Sequence, residues 1–236
     1  MHLLTKKTAT VALGLRPCIV IVSNRSTQAI VAFTVVWKVT YGDGKTNTTE
    51  VPFKYPDALA GIPEISRIAD SREGLSVLSG ESRVVGKEFE LGSSWDADFY
   101  LNQLRAYAED QKKELVAAKQ IEVDLDAAIF SDGLLVGPNH TNLDQDFMVY
   151  FGSKQKLFRQ IVNDLDAGQS VDQAFAPLKT LADNHASGRD RTAFYEMLAA
   201  QQINALRTRL GDSDVGEAAR QAVRKEAFVI RRISAE

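Results

Sequence analysis

Cysteine is almost missing from this chain. Of its 236 residues one is cysteine, Cys18, so no disulfide can form within one copy and packing must hold the fold. Set between Pro17 and Ile19 in an apolar run, Cys18 reads as a small buried hydrophobe and not as a nucleophile. Histidine is nearly as scarce. His2, His140 and His185 stand far apart, none in an HExxH pattern and none at metal-ligand spacing with Cys18, which leaves no zinc signature. Charge of one sign is lacking too: 28 basic residues face 31 acidic ones, a net charge of -3. That excludes an overall basic field of the kind that gathers nucleic acid or an anionic membrane surface. No apolar run approaches the roughly 20 residues that cross a bilayer. Lys6 and Lys7 before Ala9–Leu15 have the outline of a signal peptide, but the run is short and Arg16 interrupts it. Thr8–Leu15 is read as a strand instead. Gly-x-Ser-x-Gly is absent. Gly44-Lys45-Thr46 has the ending of a phosphate loop, but Val39 stands where its first glycine belongs and a strand pattern follows, so a hairpin turn is expected. No cofactor-binding motif remains, and no cofactor is expected.

What the chain does have is two kinds of periodicity. From Gln28 to Tyr41 large apolar residues recur at every second position: Val31, Phe33, Val35, Trp37, Val39 and Tyr41. Side chains alternate across a strand, so this is a long strand with one face in a core. Cys18–Val22 precedes it across the turn residues Ser23–Thr27. Gly42-Asp43-Gly44 follows, a hairpin signal leading into a returning strand at Thr46–Lys54. Three strands in succession predict an antiparallel meander. Pro56–Gly80 has no period. Ser82–Leu91 reads as a further strand, and Asp96–Lys119 as an inserted helix with an acidic start and a basic end. Gln120–Phe130 alternates again: Ile121, Val123, Leu125, Ala127 and Ile129 are expected inward, Glu122, Asp124 and Asp126 outward. Ser131-Asp132-Gly133 then turns the chain back. From Leu143 the period becomes helical. Phe147, Phe151, Phe158, Ile161, Val162 and Leu165 form one stripe. Ser170–Gln173 is a capping box, and two further helices are expected at Asp190–Leu210 and Asp214–Arg232.

The β part resembles the immunoglobulin-like or fibronectin-like sandwich domains of bacterial extracytoplasmic proteins. The matching residues are Val22-Ser23-Asn24-Arg25-Ser26, the strand Ile30 to Trp37 with its tryptophan, and the hairpin Ile129-Phe130-Ser131-Asp132-Gly133. The fold class expected is therefore α+β: an antiparallel sandwich over residues 8–138 with an inserted helix near 96–119, then a bundle of three to four helices over 143–233. The resemblance implies a non-catalytic module, secreted or otherwise outside the cytoplasm, whose partner is a protein or a surface glycan and not nucleic acid.

Two constellations carry alternatives. His140, Asp144 and Asp146 lie close together where the strands give way to helices, and could serve a hydrolase in a cleft between the two parts. Glu122, Asp124, Asp126 and Asp132 form the one carboxylate row, a candidate calcium site, although alternate strand residues stand about 7 Å apart. Asn24, Asn47 and Asn139 each begin an Asn-x-Ser/Thr sequon. The aromatic stripe from Phe147 leads to one more expectation, that the first helix joins the β part in one cooperative unit.

Overall fold

The structure, a computed structural model, describes residues 19–54, 76–86, 90–91, 109, 116–183, 190–224 and 228–232. The expected strand at Thr8–Leu15, Cys18 and most of the expected helix Asp96–Lys119 lie outside these. Within that stretch Glu109, Val116 and Ala117 are helical, and Ala118 already begins a strand. The class is α+β. In chain order the elements are β1 (Ile19–Ser23), β2 (Ile30–Tyr41), β3 (Thr46–Lys54), β4 (Ser82–Gly86), β5 (Glu90–Leu91), β6 (Ala118–Phe130), β7 (Leu134–Val136), four helices α1 (Leu143–Asp166), α2 (Val171–Asp183), α3 (Arg191–Leu210) and α4 (Asp212–Arg224), and β8 (Arg231–Arg232).

The chain forms two compact units. The first takes described residues up to Phe53, then those from Ser76 to Leu143, and finally Arg231 and Arg232; the second takes Lys54 and the residues from Asp144 to Ile230.

The first unit holds two sheets, β1-β4-β5 and β3-β2-β6-β7-β8. This corrects the expected meander: β1 pairs antiparallel with β4, Ile21 opposite Val84, and does not join β2. Ser82–Leu91 is two short antiparallel strands and not one. Asn24 fixes the passage from β1 to β2. Buried, it accepts the Ser26 N–H at 3.0 Å and donates to the carbonyls of Gln28 and Val77 at 2.7 and 2.8 Å. Ile30 and Val77 exchange two backbone hydrogen bonds of 3.0 Å beside it. The β2–β3 turn is the expected hairpin, with Gly44 at φ 83° and its N–H on the Tyr41 carbonyl.

Strand β2 is buried on both faces through its first half, from Ile30 to Val35, and alternates only afterwards. Its pairing with β6 slips by one residue at three places. The middle slip matters most. Thr34 opposes Ala127 and Val35 opposes Leu125, so Asp126 is the extra residue of a bulge. A one-residue slip exchanges the faces. Asp126, expected outward, is therefore buried, while Leu125, expected inward, is 51% exposed. A second correction concerns the C-terminus. The helix expected to reach Arg232 ends at Arg224, and Arg231–Arg232 runs parallel to β7, its first N–H on the Gly133 carbonyl at 2.8 Å. The five-stranded sheet is thus mixed.

The second unit is helical. In α1 the stripe Phe147, Phe151, Phe158 and Ile161 is buried, and Gly152 passes through the helix on its exposed side. Phe147 stacks on Phe151, and Phe228 packs its ring edge on Phe147 at 5.7 Å. The capping box on α2 is formed: the Gln173 N–H reaches the Ser170 hydroxyl and the Ser170 N–H reaches Gln173 Oε1, at 3.3 and 2.9 Å. Pro177 lies inside α2 without ending it. Asp190 caps α3 by accepting the Ala193 N–H at 3.0 Å, and Gly211 closes it.

Candidate functional site

The densest group of chemically capable side chains lies in the helical unit. Asp146 sits in the first turn of α1, Tyr195 in the second turn of α3, Arg191 at the start of α3, and Lys54 is the last residue of β3. Helical spacing places Arg191 and Tyr195 four residues apart on one side of α3. The Lys54 ammonium donates to Asp146 Oδ2 at 3.1 Å and to the Tyr195 hydroxyl at 2.6 Å; that hydroxyl in turn donates to Asp146 Oδ2 at 2.8 Å. Arg191 Nε lies 3.1 Å from the other oxygen, Oδ1. The ammonium also sits 4.9 Å from the centre of the Tyr195 ring, a cation–π distance. Lys54 and Asp146 are both largely buried, Tyr195 almost wholly so, and Arg191 half exposed.

The electrostatics follow from burial. Loss of water pulls the Lys54 ammonium below the ordinary lysine range; Asp146 opposes this, and the Arg191 charge adds to it. The Tyr195 phenol is pushed above the ordinary tyrosine range, by burial first and then by its bond to Asp146. Asp146 thus holds the Lys54 ammonium and the Tyr195 hydroxyl on Oδ2, while its buried Oδ1 pairs in charge with Arg191 and accepts no hydrogen bond among the described residues.

Asp126 is the centre of a second such group, in the first unit. Its carboxylate accepts the His140 N–H at 3.0 Å on Oδ1, and the Thr141 N–H and hydroxyl at 3.0 and 2.7 Å on Oδ2. Its backbone carbonyl accepts the Asn139 N–H at 3.2 Å. Burial alone would raise the Asp126 pKa; the hydrogen bonds from Thr141 and His140 outweigh it and hold the carboxyl below the usual range. Gly137 makes this approach workable. A Cβ there would stand 2.4 Å from the Asp126 carbonyl oxygen, and its φ of +102° belongs to glycine.

His140 lends its N–H to Asp126; its ring is 84% exposed, with Nδ1 3.3 Å from Asp126 Oδ1. Asp146 is the hub of the Lys54 group. Asp144 Oδ1 accepts the N–H of Gln145, at the start of α1. The carboxylate row divides among separate tasks: Glu122 pairs with Lys38 at 3.4 Å, Asp132 accepts the Leu134 N–H within its own turn, Asp124 is exposed, and Asp126 faces inward. Among the described residues no three His, Cys, Asp or Glu side chains are placed to hold a metal ion. No described helix is long and apolar enough to cross a membrane. Of the sequons, Asn24 and Asn139 are buried and Asn47 is exposed.

Lys54, Arg191 and Tyr195 are missing from the sequence reading. Lys54 meets partners 92 and 141 positions away, and no local pattern marks it. Tyr195 is the one member with a trace in the sequence, an aromatic with a polar tip on an inward helical position. Compared with protein-family models, curated proteins and solved structures, the chain matches none.

Proposed function

We propose that this protein is a non-catalytic binding or structural module that works outside the cytoplasm by contacting another protein, with an immunoglobulin-like sandwich in its first unit and a helical bundle in its second. One observation carries the non-catalytic reading. The two buried carboxylates are each engaged within their own unit: Asp126 accepts three hydrogen bonds, and Asp146 accepts two on Oδ2 and faces Arg191 through Oδ1, and a carboxylate so engaged serves structure. The sandwich reading is supported by the two separate sheets and by the step from β1 in one to β2 in the other, as chains do when they build facing layers. A protein partner is supported by the apolar side chains exposed on strands, Ile21 at 62% and Leu125 at 51%.

The test uses the full chain carrying photoreactive side chains at positions 21 and 125, exposed to the surface fraction of its source cells. Saturable cross-linking to one protein, lost with Ile21→Asp or Leu125→Asp, is the expected result. Turnover of an ester, glycoside or peptide that Asp146→Asn abolishes while the fold is kept would overturn the reading.

A further inference from the structure

A cleft of about 610 Å³ lies in the helical unit, lined by Asp172 and Lys179 of α2, Asn204 and Arg207 of α3, and Asp212 at the start of α4. Its size is that of a small-ligand pocket. Arg207 braces one end. Its Nε bonds Asp212 Oδ1 at 2.8 Å, its Nη2 bonds Asp172 Oδ1, and its guanidinium lies 5.2 Å from the centre of the buried Phe175 ring. That leaves Asp172 Oδ2 without a bond to Arg207, so the braced end presents a fixed carboxylate oxygen. At the other end the exposed Lys179 ammonium, and between the two the Asn204 amide, have no hydrogen-bonded or ion-paired partner among the described residues. Asp172 and Lys179 are seven residues apart on one helix, about 10 Å along its axis at 1.5 Å per residue. The cleft is therefore bipolar, negative at one end and positive at the other, with an amide in the middle.

We infer that this cleft binds a short peptide as a zwitterion, its ammonium at Asp172, its carboxylate at Lys179 and a backbone amide on Asn204. Three extended residues span about 10 Å, which matches the separation of the charges. Single amino acids are too short to reach both ends. This inference does not rest on the protein-binding reading above, since it concerns other residues and another ligand.

The test is titration of the full chain with trialanine, followed through backbone amide chemical shifts. Saturable shifts confined to α2, α3 and the start of α4 are expected. N-acetyl-trialanine and trialanine amide are each expected to bind about fivefold more weakly or worse, the scale of one exposed ion pair lost. Lys179→Glu, whose parent side chain bonds nothing in the fold, is expected to weaken trialanine similarly at unchanged melting temperature, and Asn204→Ala to weaken it without restoring affinity for the blocked forms. The inference is overturned if trialanine gives no saturable shift, if the blocked peptides bind as well as the free one, or if the shifts fall outside the cleft.

Discussion

Thr34 is a buried hydroxyl in the doubly buried half of β2, and its Oγ1 meets no donor or acceptor among the described residues. A buried polar group left unpaired costs on the order of 1–3 kcal/mol. Thr34→Val keeps the shape and the β-branch, so it is expected to raise stability by about 1 kcal/mol, read as a higher denaturant midpoint at unchanged slope. Lys54 and Tyr195 respond to pH in opposite senses. Tyr195 has a raised pKa in the folded chain, so its contribution is complete below the ordinary phenol value of about 10 and is lost as pH rises through the folded value. Lys54 has a lowered one, so the unfolded chain binds its proton more tightly, and the cost of burying that charge is relieved as pH rises through the folded value toward about 10. The Lys54 proton therefore leaves first. Absorbance at tyrosinate wavelengths is expected to show one phenol that does not ionise until the chain unfolds in alkali, and Asp146→Asn is expected to lower that threshold.

At the scale of elements, the β7–α1 connection hangs on Asp126. The contacts converging there make Gly137→Ala expensive: a backbone clash and a strained φ together cost on the order of 3 kcal/mol, measured by thermal or denaturant unfolding. Asp126 has a depressed pKa, so its share of stability is whole above about pH 4 and is lost as pH falls through the lower folded value. Asp126→Asn is expected to flatten that acid limb. In α1, Phe151→Ala removes a ring stacked on Phe147 and tilted on Phe228, at an expected cost of about 3–5 kcal/mol. These elements also mark how far the sequence can be read. Thr46–Lys54, the hairpin at Ser131–Gly133 and the stripe of α1 were legible because period and turn chemistry are local. Asp126 was not: the alternation is intact in the sequence, and the bulge that turns it inward comes from pairing with β2. Arg231–Arg232 was read as helix because a basic run has no signal for a two-residue parallel strand, which depends on where β7 lies. Lys54, Tyr195 and Arg191 meet only through tertiary structure.

At the scale of the whole molecule, the first unit is assembled from separated stretches of chain, the last of them Arg231–Arg232. A chain ending at Pro138 would lack Asn139, His140 and Thr141, the donors to Asp126, as well as β8. It is expected to be less stable than the same unit in the full chain by about 3 kcal/mol or more, since an unpaired buried carboxylate costs at least that. The claim underneath both the fold and the proposed function is that the buried charged groups hold structure. The most direct measurement is unfolding of the full chain as Asp146→Asn, as Lys54→Met, and as the two combined. If Asp146 serves structure, Asp146→Asn strands the buried Lys54 cation and lowers stability by about 3–5 kcal/mol, while adding Lys54→Met removes that cation and recovers a good part of the loss. Asp146→Asn at parental stability, with Lys54→Met neither adding nor recovering anything, would contradict the claim.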